Sequence, residues 1–477
     1  MLAEGFQPDF SPAVDQQVKV LEASKASATE NGVRDLRTLL WSSIDNDTSR
    51  DLDQIEVAER VSGGIRLLIA IADVDSAVLI DSPIDRHAAE QTTSVYTGVT
   101  TFPMLPMELS TDLTSLNEAV DRLAVVVEMT VAADGSISST GVYRALVKNR
   151  AQLTYNGVGP WLEGTSAPPP KVAASADLMA QLKLQDEAAQ VLQLERRRMG
   201  ALNIDRVEFE AVVAGDGAVQ SINTRKKNRA SELIENFMVA ANGVMARALT
   251  DAGVSSIRRI VKTPARWPRI VELAAQYGEK LPAQPDSGAL NVFLQNRKAV
   301  DPDHYADVSL AVVKLMGPGE YVLVKPNEES PGHFGLAVQD YTHSTAPNRR
   351  FPDIVTQRIM KAHLAKAQQP YSEGDLNAIA QRCTLMEDAA RKVERVMQKR
   401  IAAVVLHPRI GQTFRAIVTG VNQYGTFVRA LEPHVEGMLV NAGKPGAKGL
   451  DVGDRVTVKL VSTDPQRGFI DFALQGS

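Results

Sequence analysis

The chain has one cysteine, Cys383, in 477 residues. A single thiol excludes an intrachain disulfide framework and fits a reducing compartment, so a cytoplasmic location is expected. No apolar run approaches the roughly 20 residues of a helical membrane span, so no membrane partner is expected. The opening MLAEGFQPDF lacks a basic n-region and an apolar h-region, and no secretory signal is expected there. Internal repeats, low-complexity tracts, a GxGxxG fingerprint and a Walker motif are also missing. Their absence removes solenoids and the common nucleotide-binding loops. Strong net charge is lacking too, since 52 Lys plus Arg against 57 Asp plus Glu gives −5. That balance argues mildly against nucleic acid, but segregated charge overrides a sum. Compact basic clusters do occur, at Arg196-Arg197-Arg198, residues 224–229, Arg258-Arg259 with Lys262, Arg266 and Arg269, and Arg349-Arg350.

Against these absences stands one acidic stretch, SSIDNDTSRDLDQ, residues 42–54. Asp45, Asp47, Asp51 and Asp53 fall within nine positions. Asp51 and Asp53 are two apart, so in extended chain their side chains leave the same face. Residues 46–50, Asn-Asp-Thr-Ser-Arg, read as a turn that folds Asp45 back onto that pair. Carboxylates crowded at one point repel each other at pH 7 unless a cation lies among them. Oxygen-only ligands favour Mg²⁺, Mn²⁺ or Ca²⁺ over zinc. The flanks, Leu36, Leu39, Leu40 and Trp41 before and an apolar strand after, are core-like rather than those of a solvated acidic loop.

Arg34-Asp35-Leu36 followed by this stretch resembles the signature loop of the ribonuclease II / ribonuclease R (RNB) exoribonucleases. There an Ile-Asp opens the loop and an Asp-x-Asp-Asp closes it. Asp45, Asp51 and Asp53 match, and Gln54 stands where the family has a fourth aspartate. Three further stretches resemble family signatures in family order: residues 69–88, 103–116 (PMLPMELSTDLTSL) and 333–354 (HFGLAVQDYTHSTAPNRRFPDI). The resemblance implies a hydrolytic, metal-dependent 3′→5′ exoribonuclease that degrades single-stranded RNA to nucleoside 5′-monophosphates. Asp45, Asp51, Asp53 and Arg349 would be catalytic. Mg²⁺, or Mn²⁺, would be held by Asp45, Asp51 and Asp53, with Gln54 offering only a neutral carbonyl. The alternative is an RNA-binding protein weakened by Gln54. Pro347 pins the turn before Arg349, and a rigid guanidinium suits a phosphate. Ala346 and Asn348 depart from the Ser and Ile more common in the family. Tyr96 matches a tyrosine that packs on terminal nucleotides. Arg350 is a further candidate for RNA contact, and Trp267, in a basic stretch, is either a stacking residue or a core tryptophan. His333 has no second His or Cys at ligand spacing and reads as a satisfied structural histidine.

The fold class expected is α+β, with three parts. Residues 1–32 form a short, partly helical extension, too short for the cold-shock-type barrels that commonly precede this family's catalytic domain. Residues 33–405 form the large mixed RNB domain. Its strands are expected at Ile55–Val57 and Ile65–Val74, with a hairpin at Leu123–Val131 and Ser136–Val147. Its helices are expected at 176–199, 267–276, 303–315, 352–367 and 374–403, with an amphipathic helix carrying Leu233, Phe237, Val244 and Leu249. Residues 406–477 hold five short Gly- and Pro-punctuated strands, which read as an OB-type barrel and resemble the S1 RNA-binding domain. Phe414, Tyr424, Phe427 and His434 fall at its stacking positions, with Arg415, Arg429, Lys444 and Lys448 near phosphate. The partner expected is single-stranded RNA, and the chain is expected to be a monomer.

Overall fold

The computed structural model describes the chain except residues 25–31, 203, 205–207, 215–218, 226, 303–304, 424, 441–448, 451–453 and 476–477. Its centre is a six-stranded sheet in the order Arg34–Asp35, Ile137–Thr154, Trp41–Asp45, Gln54–Val61, Gly64–Ala72, Asp121–Val131. Ile137–Thr154 also pairs along Asp121–Val131, so the sheet curls back on itself. The run Gly64–Ala72 is apolar and flanked by strands on both edges, and from Leu67 to Ala72 it is buried without interruption. A strand covered on both faces needs that continuous apolar sequence rather than alternation.

Helix Arg229–Asp251 lays Leu233, Phe237, Val244 and Leu249 into this core, as its spacing predicts. Asn228 and Ser231 cap it reciprocally. A second core gathers helices Trp267–Gln276, Ser287–Val300 and Tyr305–Met316 around Trp267, Ile270, Phe293 and Val312. Among the described residues four α-helices were not anticipated from the sequence: Pro83–Gln91, Tyr155–Leu162, the single turn Pro170–Ala173 and Ser287–Val300. Helix Tyr155–Leu162 carries an internal proline and two glycines, which mask a helical pattern.

Residues 1–24 are tied to the large domain rather than standing apart. Val14 and Val18 join the main core, and Phe6 packs with Met386, Ala390 and Val393. The 34-residue helix Glu373–Leu406 runs from there into the C-terminal barrel. Its last turn, Ala402, Ala403 and Leu406, belongs to the barrel core with Phe414, Val428, Leu460 and Phe472. The five barrel strands close in the order Thr413–Asn422, Gly425–Leu431, His434–Leu439, Phe469–Leu474, Arg455–Asp464. Among the described residues no helix is long and apolar enough to cross a membrane.

Candidate active site

Asp45 is the last residue of strand Trp41–Asp45, and Gln54 is the first of the neighbouring strand. The intervening turn brings them back together, with Gln54 Nε2 donating to Asp45 Oδ1 at 3.1 Å. Asp45 Oδ2 is buried without a hydrogen-bond partner among the described residues. Asp53 is buried, and its two oxygens accept from the far end of the chain. The Asn348 backbone N–H reaches Oδ1 at 3.0 Å and Arg349 Nε reaches Oδ2 at 3.3 Å. Asp51 is half-buried beside them.

Both partners of Asp53 lie on a turn that is itself fixed. Asp353 accepts the Ala346 N–H at 2.8 Å, and the Arg349 and Arg350 N–H groups both return to the Ala346 carbonyl. The stretch 103–116 supports the aspartate loop from below. Ser115 Oγ accepts the Leu52 N–H at 2.9 Å, and the Leu116 N–H donates to the Leu52 carbonyl at 2.9 Å. Thr114 Oγ1 donates to Asn348 Oδ1 at 2.6 Å, tying the aspartate loop's support to the arginine turn. Tyr96 sits on the same frame, since the Ser94 N–H donates to the Arg349 carbonyl at 3.0 Å. The Tyr96 N–H in turn donates to Glu394 Oε1 at 3.1 Å. The aspartate loop and the stretches 103–116 and 333–354 therefore meet at one point in space.

Two of the carboxyls are held far from their ordinary range. Burial pushes Asp45 up to about 6, with the Asp51 charge adding to it and the Gln54 hydrogen bond and Arg349 opposing it. Burial pushes Asp53 up to about 7, opposed mainly by the Arg349 guanidinium. Carboxyls in this condition gain from a nearby cation. The donor chemistry fits a hard divalent ion, because the unpartnered Asp45 oxygen and its neighbours offer oxygen alone. Among the described residues, however, no group of three or more His, Cys, Asp or Glu side chains is arranged to hold a metal by itself. Asp45 would hold the ion through its unpartnered Oδ2, with Gln54 bonded to the other oxygen and Asp51 and Asp53 contributing charge.

The remaining candidates divide. Arg349 is 47% exposed at its side chain and Tyr96 is 43% exposed, so both are open to a ligand. Arg350 is not placed for RNA. Its guanidinium is mostly buried and donates to Asp353 Oδ1 at 2.7 Å, which anchors the turn at the start of helix Phe351–Leu364. Trp267 is not a stacking residue either. It is 2% exposed, its Nε1 donates to the Pro282 carbonyl, and Phe334 meets it edge-on. Of its two readings the core one holds. Phe414 likewise lies inside the barrel, against Phe472. Phe427 and His434 are half-buried on the barrel wall, where Phe427 pairs across strands with Met438. Arg415 is exposed, whereas Arg429 is spent on Asp307. Tyr424, Lys444 and Lys448 lie outside the described residues. His333 accepts the Leu336 N–H at its Nδ1 and is a satisfied structural group. Glu394, Thr114 and Ser115 were missed. Their sequence surroundings are an ordinary helix and a polar turn, and only the fold brings them to the site.

Known proteins resemble this chain in sequence and in fold. The RNB domain matches residues 33–366, and the RNase II-type exonuclease C-terminal S1 domain matches residues 412–475. Ribonuclease R of Thermotoga maritima is 30% identical over 98% of this chain and 68% of its own length. Ribonuclease R 1 of Lactococcus lactis is 29% identical over 94% of this chain, which spans only 58% of that relative. The structure of Mycoplasma genitalium RNase R in complex with ribose methylated single-stranded RNA superposes with a TM-score of 0.90 at 25% identity. It covers 100% of this chain and 77% of that one. With most of its length matched in sequence and in fold, this chain belongs to the RNB family.

Proposed function

We propose that the chain is a metal-dependent 3′→5′ exoribonuclease that hydrolyses single-stranded RNA to nucleoside 5′-monophosphates. The observation that carries this reading is the junction of Asp53 with Asn348 and Arg349, residues nearly three hundred positions apart in the chain. Binding alone does not require a buried carboxylate aligned on an arginine. Water attacks the terminal phosphodiester in line with its 3′ oxygen; the new P–O bond forms as the P–O3′ bond breaks, and the 3′ oxygen leaves with a proton. Arg349 spends Nε on Asp53, which leaves its terminal nitrogens for phosphate oxygens. Asp53 orients that guanidinium, and burial of the carboxyl excludes water from the back of the pair. A bound divalent cation supplies charge stabilisation and a more acidic water. Tyr96 stacks on the terminal base, worth about 1–3 kcal/mol.

A second reading, an RNA-binding protein with a weakened site, rests on Gln54, whose amide occupies one oxygen of Asp45. Incubation with 3′-tailed single-stranded RNA, with and without Mg²⁺, separates the two. Stepwise shortening from the 3′ end that requires Mg²⁺ is the expected result. Stable binding without any shortening would leave the second reading.

A further inference from the structure

Glu56 lies two residues beyond Gln54 on strand Gln54–Val61, so the two side chains leave the same face. It is fully buried, and neither carboxylate oxygen has a hydrogen-bond partner among the described residues. Burying a carboxylate without partners carries a large desolvation penalty, which a fold seldom accepts without a compensating group. Three neighbours share the deficit. Ser42 is the cross-strand partner of Glu56, and its Oγ is buried and unpartnered. Gln185 donates its amide to the Glu56 carbonyl at 3.3 Å, and its Oε1 is buried and unpartnered. Asp45 Oδ2 is the third, and the Asp45 charge is felt at Glu56. These four residues present five buried oxygens and, from the same side chains, no unpartnered N–H. Hard divalent cations take such oxygen sets.

We propose that Glu56 supplies the negative charge that Gln54 lacks, and that the divalent cation of this site is held between Asp45 and Glu56. The inference rests on the cation-dependent reading above and deepens it. With Asp45, Asp51, Asp53 and Glu56 the site again has four carboxylates, the last moved two positions along the strand. A glutamate has one more methylene than an aspartate, which lengthens its reach from the new position. The Gln54 amide then has a separate task, orienting Asp45 by donating to Oδ1 while Oδ2 turns to the ion.

The test is Mn²⁺ binding to the full chain without RNA, followed by the electron paramagnetic resonance signal of free Mn²⁺. It uses wild type, Glu56→Gln and Glu56→Gln with Gln54→Asp. Glu56→Gln should weaken Mn²⁺ binding by about tenfold or more. Its melting temperature without metal should stay equal or rise, because a buried carboxyl without hydrogen-bond partners is replaced by a neutral amide. Adding Gln54→Asp should recover binding by returning the carboxylate to the neighbouring position. Wild-type Mn²⁺ affinity in Glu56→Gln, or no recovery in the double variant, would overturn the assignment. Should Glu56→Gln fail to fold, Glu56→Asp keeps the charge and shortens the reach; affinity equal to wild type there would overturn it as well. Failure of wild type to bind Mn²⁺ without RNA overturns this assignment, while the Mg²⁺-dependent shortening assay judges the exoribonuclease reading independently.

Discussion

At the scale of single residues, Asp53 is the test of the site. Asp53→Asn keeps an oxygen that can accept the Asn348 N–H, so the turn should hold. The new amide nitrogen, however, faces the donor Arg349 Nε. Two donors repel, the guanidinium swings away, and misplacement of that order costs about 100-fold in rate or more. RNA affinity should change little, because most phosphate contacts lie elsewhere. Single-turnover rates beside filter-binding affinities check this, and a wild-type rate would remove Asp53 from the mechanism. The raised carboxyls make a second prediction. Asp45 and Asp53 are lifted from 3.8 to about 6 and about 7 in the folded chain. A carboxyl raised on folding contributes stability below its unfolded value, and loses it as pH rises through the folded one. In EDTA the melting temperature should therefore fall between about pH 4 and pH 7 from this pair, which titrates as a coupled unit. Mg²⁺ should shrink that fall, since the ion favours the charged forms. Melting curves across pH with EDTA or Mg²⁺ measure it, and parallel curves would deny a cation any place beside these carboxyls. Much of this was legible in the sequence. Asp spacing and the proline before Arg349 are local signals, and both lead to the site. Glu56 and Arg350 were not legible and Trp267 was left between two readings, because a charge in a short strand segment or a tryptophan among arginines declares its surroundings only after the strands pair and the helices pack.

At the scale of elements, periodicity was a good guide where one face alone is buried. Helix Arg229–Asp251 and the five barrel strands fall where pattern puts them. It failed where helix signals are interrupted, as at Tyr155–Leu162, and where a strand is short and continuous with a loop. Trp41–Asp45 was such a case, since its five residues are buried on both faces and carry two serines and an aspartate. Nor does local sequence predict how the barrel meets the large domain. Arg429 on strand Gly425–Leu431 forms a two-pronged pair with Asp307 on helix Tyr305–Met316, at 2.8 and 2.9 Å. Both side chains are largely buried, and removing one partner strands the other. Asp307→Ala should therefore cost roughly 3 kcal/mol of docking between barrel and helix. Hydrogen exchange at 425–431 and at 305–316 should rise together, with the aspartate site unchanged. No change in exchange at either element would mean that the pair does not hold the barrel.

At the scale of the whole molecule, binding long RNA and cutting its end fall to different parts. The chain is net negative, so attraction to RNA depends on where its cations lie. The catalytic junction offers Arg349, whereas a long strand needs phosphate contacts spread along its path. Deleting residues from 408 onward removes the barrel with exposed Arg415 and half-buried Phe427. Affinity for long RNA should drop, and each lost phosphate contact should flatten the salt dependence by about 0.7 in logarithmic slope. Short oligonucleotides should still be cut, since Asp45, Asp53, Arg349, Tyr96 and Glu394 all precede the cut. The junction does impose one cost. Ala402, Ala403 and Leu406 pack in the barrel core, so the truncated helix Glu373–Leu406 will fray at its end and expose apolar surface. Glu394 is more than three turns upstream of Leu406, which keeps its contact to Tyr96 clear of the fraying. Salt titrations of long-RNA binding, run beside cleavage of a short substrate, separate the two roles. Unchanged long-RNA affinity in the truncated chain would take binding away from the barrel, and loss of short-substrate cleavage would show that the barrel supports the site itself.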